Sequence, residues 1–388
     1  MSTATLTEPA TEQSKSEALE ELLRILPSRR QEMIDNQQQP ADVVELFRKA
    51  GIYRALVAKR FGGDEVSPAD FLRLIERISA VDASSGWVAS FGFSAIYLAA
   101  LPVTTLEKMY ANGPDVIFAG GIFPPQPAVP VDGGLKVNGR WSWGSGSTGA
   151  DVIGVGIKVE GGSPNGGLPR IAVMPSSSVT IDKSNWNVNG MRGTGSHDMV
   201  VKDIVVPEEW TFVRGGASNL TDPLYQYPSM ALAAQVLAVV ALGAARGALD
   251  DLIEMAGGRT SITGAPVLAD RAFVQTEIAK AEASVRSAKA FFYEATEQAY
   301  DTLCKGDKLS DEARVMLRLS ASHAAKAGSE ACLSVYNISG TTGIFTDSTI
   351  GQRLQDSLVV PQHAFLSEGT FMSAGRCILG LDPLPGYP

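Results

Sequence analysis

The chain has 388 residues, 45% of them hydrophobic and 19% charged, with a formal net charge of −9 at pH 7. That length allows two or three structural units and a large core, so stability needs neither a metal nor a disulfide framework. An acidic balance without a lysine- or arginine-dense stretch lacks the footprint of a polyanion binder, which excludes nucleic acid as an expected partner.

Residues 1–15 are polar, contain Glu8, Pro9 and Glu12, and have no apolar core segment, so they read as a disordered tail and not as a signal peptide. Residues 16–115 form a helical unit: EALEELLRIL, ADVVELFRKAGI and SPADFLRLIERISAV place apolar residues three and four apart. Ser67-Pro68 supplies a capping side chain followed by proline at the first helical position. Residues 116–215 change to glycine, proline and β-branched residues. VIFAGGI, LKVNG, DVIGVGIKV, RIAVMP and DMVVKDIVV are predicted strands, with turn chemistry at DGG (132–134) and EGGSPNGG (160–167). Residues 216–388 return to longer, alanine-rich helices of the kind that pack in a bundle. Within them MALAAQVLAVVALGAA (230–245) is apolar but shorter than the ~20 residues a membrane span needs, carries Gln235, and is predicted to be a buried core helix. The expected fold is mainly α with a central β unit.

The three cysteines, Cys304, Cys332 and Cys377, are far apart and form no CxxC pair, as in a reduced cytoplasmic setting. No His/Cys/Asp/Glu spacing fits a metal, and no GxSxG elbow fits a serine hydrolase. Gly144-Ser145-Gly146-Ser147-Thr148-Gly149 matches a dinucleotide fingerprint in letters only. The following ADVIGVGIKVE is strand-like where that motif requires a helix, so a turn is expected.

The segment NGRWSWGSG (138–146), closed by Ala150-Asp151, resembles the flavin-contacting strand of the acyl-CoA dehydrogenase superfamily. Further matches are GMRGTGSHDMVVKDIVVP (190–207), RAFVQ (271–275), SGTTG (339–343) and RLQD (353–356), in the family's order and spanning nearly the whole chain. The resemblance implies an N-terminal helical domain, a β-barrel or sandwich domain and a C-terminal four-helix bundle. It places Trp143 beside the isoalloxazine and Ser145 at flavin N5, roles a rigid π-surface and a hydroxyl can fill. Gly144 and Gly146 then let the backbone approach closely. The plain sheet reading is that Trp141 and Trp143 are ordinary residues of an alternating sheet, with one facing the core. Arg271 and Gln275, a helical turn apart, would reach flavin phosphates across a subunit boundary of a homotetramer, and Gly340, Thr341 and Gly343 would border the cofactor.

The family contains dehydrogenases, which need a glutamate base, and two-component monooxygenases, in which a separate NAD(P)H:flavin reductase supplies reduced FAD or FMN and O2 adds at C4a. Ser367-Glu368-Gly369-Thr370 resembles the dehydrogenase base run. Counted from Asp356, however, the family's glutamate falls at Ala364, and Glu368 comes four residues, about one turn or ~6 Å, too late on a helix. His363, at Asp356 plus seven, falls where the monooxygenase branch has an acid–base histidine, here expected on the final helix. A structural role is the alternative for any lone histidine. The resemblance therefore implies a flavin-dependent monooxygenase acting on a small phenol- or indole-like ring, with His363 and Ser145 catalytic and Phe91, Phe93, Ser94 and Tyr97 lining a dry pocket. Many hydroxylases carry a second histidine after the SSGWV helix start; here either Ser90, Ser94 or Tyr97 would substitute for it or the substrate would not need that group. The rivals are an acyl-CoA dehydrogenase using Glu368 and a non-catalytic flavin-binding scaffold. His197 is expected to be structural or cofactor-proximal, and His323 to be a packing residue.

Overall fold

The computed structural model describes residues 11–160, 168–258, 266–384 and 387. Six helices open the chain: α1 (Glu12–Asn36), α2 (Ala41–Lys49), α3 (Pro68–Val81), α4 (Ala83–Ser90), α5 (Ser94–Leu98) and α6 (Val103–Met109). The tail expected over 1–15 is too long. Thr11 accepts a hydrogen bond from the Ser14 N–H and caps α1, so Glu12 to Lys15 are helical, and Lys15 pairs with Asp64 at 2.7 Å. Ser67 caps α3 by accepting from the Asp70 N–H, with Pro68 in the first turn.

One seven-stranded sheet follows, built from β1 (Phe118–Val131), β2 (Gly134–Gly144), β3 (Val152–Val159), β4 (Arg170–Pro175), β5 (Thr180–Asp182), β6 (His197–Val206) and β7 (Thr211–Val213). Its order is β5-β6-β2-β1-β3-β4-β7, antiparallel except for β1 against β3. Alternate residues of these strands, among them Leu135, Val137, Ile153, Val155, Met199 and Val201, build a core separate from the helical one. The loop expected at 160–167 lies, after Glu160, outside the described residues.

The remaining helices are α7 (Pro223–Gln226), α8 (Ser229–Gly258), α9 (Ala272–Cys304), α10 (Asp311–Ser339), α11 (Thr349–Val359) and α12 (Glu368–Ile378). The apolar run of α8 is long enough to cross a membrane, but 94% of its most apolar window is buried inside the protein. Gln235 within it is satisfied, accepting from the Tyr227 hydroxyl at 2.9 Å and donating to Thr296 Oγ1 at 2.6 Å. The fold is mostly helical around a central sheet, as expected.

Candidate active site

The end of β2 is bent by a register shift against β6 between Trp141 and Gly144. Trp141 points into the sheet core and donates from Nε1 to the Gly156 carbonyl at 2.8 Å. Trp143 has φ +70°, a left-handed conformation that costs a bulky residue energy and turns its indole outward. It is 66% exposed and meets Trp186 edge-on at 5.9 Å. Gly144 is required by closeness, since a Cβ there would lie 2.9 Å from the His197 carbonyl oxygen; Gly146 is required by its φ of +71°. Ser147–Gly149 is a single 3-10 turn leading into β3, so the glycine motif is a turn and no phosphate-binding helix follows.

The Ser145 hydroxyl is buried and heavily partnered. Trp87 Nε1, on α4, donates to it at 3.2 Å, and Ser196 Oγ lies 2.6 Å away. Ser196 in turn meets Thr194 Oγ1 at 2.8 Å, and Thr194 donates to the Met191 carbonyl at 2.8 Å. Proton counting orders this chain. Thr194 spends its proton on Met191, so Ser196 donates to Thr194 and Ser145 donates to Ser196. Ser145 is left with one lone pair free to accept. The chain is anchored by Asp356 of the RLQD run, which accepts from the Met191 N–H at 2.5 Å.

Burial, and after it the nearby Asp82 charge, raises the Asp356 carboxyl to about 7. Its folded value lies above the unfolded one, so its stabilising contribution is complete in acid and is lost as pH rises through about 7. Thermal stability is therefore expected to decline from about pH 4 to about pH 7 and to level off above that, and Asp356→Asn, which keeps the acceptor, should flatten that decline in melting scans.

Helix α11 stops at Val359, Val360–Gln362 make a 3-10 turn containing Pro361, and His363 follows in extended conformation. His363 is therefore in a turn between α11 and α12, not on the final helix, because proline removes a backbone donor and breaks the helix. Its Nδ1 accepts from the Phe365 N–H at 3.3 Å, which leaves the proton of the neutral ring on Nε2. Its ring lies 6.3 Å from Trp87 and 4.9 Å from Phe365. Burial first, then the charges of Arg214 and Arg318, lower its pKa to about 4. Glu368 begins α12 exposed to solvent, 3.6 Å from Lys326. The helix break also removes the premise that Glu368 is one turn displaced along a continuous helix.

Phe91 and Phe93 meet at 6.3 Å, and Phe93 meets Tyr97 edge-on at 5.0 Å; Phe93, Ser94 and Tyr97 are buried and Phe91 half-buried. Tyr97 donates weakly to Met230 Sδ, and its hydroxyl is raised, by burial above all. Ser90 donates to the Trp87 carbonyl and closes its own helix turn. None of the described contacts brings Arg271, Gln275, Gly340, Thr341 or Gly343 to this cluster. Arg271 Nε donates to the Pro266 carbonyl and Gln275 Nε2 to that of Ala269, at the start of α9. Gly340 and Thr341 are exposed, while Gly343 is buried at the wall of a cleft of about 450 Å³ whose other walls include Arg192 and Asp356. His197 opens β6, buried, and His323 packs against Phe291 at 6.5 Å.

Residues 235–368 match the family model described as acyl-CoA dehydrogenase, C-terminal domain. The chain is 54% identical to an indole-3-acetate monooxygenase of Pseudomonas putida, over 89% of this chain and 88% of that one. It is 28% identical to the flavin-dependent monooxygenase oxygenase subunit HsaA of Rhodococcus jostii, over 89% and 93%. The crystal structure of 3-HSA hydroxylase from Rhodococcus sp. RHA1 superposes with a TM-score of 0.88 at 26% identity, over 96% and 98%. The chain belongs to the flavin-dependent monooxygenases of the acyl-CoA dehydrogenase family. In this monooxygenase three contributors to the cluster escaped the sequence reading. Trp87, within the noted SSGWV run, links Ser145 to His363. Arg318 could have been found from the pattern, since its helical neighbours Val315, Ser322 and Ala325 are all buried. Arg214 has no comparable signal at the end of a short strand.

Proposed function

We propose that the chain hydroxylates a small aromatic or heteroaromatic ring, indole-type foremost, with Ser145 holding the flavin and His363 serving as the proton donor on the substrate side. The observation that carries this is the convergence of Ser145, Trp87 and His363 from three separate segments, with the one candidate dehydrogenase base, Glu368, turned to solvent. When bound, reduced flavin supplies the electrons and the oxygen activation. The residues fit it: Trp143 offers an exposed rigid ring face, and the free lone pair of Ser145 suits the N–H that the reduced ring carries at N5. In this reading the Nε2–H of His363 serves an oxygen on the substrate side, and Phe91, Phe93 and Tyr97 supply aromatic walls that exclude water. The activity of the Pseudomonas putida relative on indole-3-acetate supports an indole-type ring. The role of the Rhodococcus jostii relative as an oxygenase subunit supports a separate NAD(P)H:flavin reductase.

Arg271 and Gln275 flank exposed Phe273, and Gly343 runs into exposed Ile344 and Phe345. Such apolar exposure supports burial against another copy, in a homotetramer where these residues reach flavin phosphates across the boundary. The test is oxygen consumption, peroxide and hydroxylated product measured with chemically reduced flavin and an indole panel. Ser145→Ala removes the N5 acceptor and should lower the product-to-peroxide ratio on the order of tenfold. An unchanged ratio counts against the Ser145 assignment.

A further inference from the structure

Two guanidinium groups beside His363 have no counter-charge. Arg214 directly follows β7 and Arg318 sits on α10; they are 7% and 4% exposed. Among the described residues no carboxylate lies within 4.0 Å of either, whereas buried Arg353 has Asp251 and half-buried Arg30 has Asp82. Arg214 Nε and Arg318 Nε and Nη1 have no hydrogen-bond partner, and Arg318 Nη2 reaches the Phe365 carbonyl only at 3.4 Å. Unpaired buried cations are strongly unfavourable and are retained where an anion arrives. Aromatic rings surround them. The Arg214 guanidinium carbon lies 4.7 Å from the Phe365 centroid, 5.5 Å from that of Phe123 and 5.9 Å from that of Tyr97; that of Arg318 lies 5.4 Å from the Phe365 centroid. These ring faces attract the cations but are not charged acceptors, and of the described groups around Arg214 only the Tyr97 hydroxyl offers it an oxygen. Phe365 is thus in contact with both guanidinium groups and lies 4.9 Å from His363.

We infer that Arg214 and Arg318 bind the carboxylate of the substrate, so that the ring held beside His363 belongs to an aromatic alkanoic acid and not to a neutral indole or phenol. This deepens the monooxygenase reading and rests on it for the identity of the ring. A planar guanidinium matches a carboxylate with paired donors, and the low-dielectric surroundings strengthen the contact. The site also couples to chemistry. The two arginine charges help hold His363 low, so an arriving carboxylate raises its proton affinity, whereas a neutral analogue of the same shape does not.

Calorimetric titration of the flavin-reconstituted protein with indole-3-acetate and with indole-3-acetamide tests this. The acid is expected to bind on the order of 10–100-fold more tightly than the amide. Arg214→Gln and Arg318→Gln should each bring that ratio toward one, and Arg214→Lys should restore part of it. A parental ratio near one, or a ratio unchanged in both glutamine variants, overturns the inference; so does acetate alone binding as tightly as the aromatic acid. Using two sites keeps the test decisive if one variant misfolds. Binding needs no turnover, so absence of hydroxylated product from both ligands counts against the monooxygenase assignment of the ring chemistry, while only the affinity ratio decides the arginines.

Discussion

Replacing His363 with alanine is expected to lower hydroxylated product on the order of 10²–10⁴-fold while oxygen consumption continues and peroxide accumulates. The magnitude is that of a positioned proton donor, and the geometry explains why only product should suffer. Trp87 still donates to Ser145, and Ser145 still meets Ser196, so the proposed hold on the flavin survives the substitution. What is lost is the Nε2–H edge, whose tautomer the Phe365 N–H fixes. The pH profile gives an independent sign. With a neutral indole as substrate, a histidine lowered to about 4 stays neutral as the medium is acidified, so protonation of this group should cause no loss of product across about pH 5 to 7. Quantifying product chromatographically alongside an oxygen electrode settles the matter. Equal product-to-oxygen ratios in variant and parent would remove His363 from the proposed chemistry; an acid limb near the ordinary histidine value that vanishes in His363→Ala would instead overturn its neutral state.

The sequence carried those parts of the site that depend on local patterns. A tryptophan pair flanked by glycines at a strand end carried the resemblance that pointed to Ser145. The pleat made it readable that a tryptophan here faces the core, though not which one, since residues 141 and 143 share a face of a regular strand. The outward turn of Trp143 was not readable as geometry, since it depends on a register shift and a left-handed φ that no propensity anticipates. His363 was placed by spacing from Asp356, yet its setting was misjudged, because Pro361 ends the helix and makes the intervening residues a turn. Long-range partners were the least legible. Trp87 meets Ser145 across 58 positions, and the Asp356 link to Met191 spans 165, so neither leaves a periodic trace. The unpaired arginines stayed hidden for a different reason. A charged residue in sequence is assumed to be solvated or paired, and only burial without a partner makes it informative.

Arg353 of the same RLQD run carries the largest expected effect on stability. Its Nε donates to Asp251 Oδ2 at 2.7 Å, Nη2 reaches Asp251 Oδ1 at 3.4 Å, and Nη1 donates to the Ala80 carbonyl at 2.7 Å. One side chain therefore ties α11 to α8 and to α3. Gly247 leaves the room, for a Cβ there would fall 2.1 Å from Arg353 Nη1. Truncation to alanine strands the Asp251 carboxylate, about a quarter exposed, and the Ala80 carbonyl; removing one partner of such a pair costs about 3–5 kcal/mol. In a chain of this size the melting temperature should drop on the order of 5–10 °C. The double variant Arg353→Met with Asp251→Leu should recover much of that loss, because the stranded charge is the main penalty and not the missing attraction. Helix α11 also delivers Asp356 to the Met191 loop and ends four residues before His363, so Arg353→Ala should loosen the Ser145 chain as well as the bundle. Hydrogen exchange at the Met191–Ser196 amides is the measurement that separates the two consequences. Faster exchange there, compared at equal distance below each melting point, is expected; unchanged protection with a lowered melting temperature would confine Arg353 to the bundle.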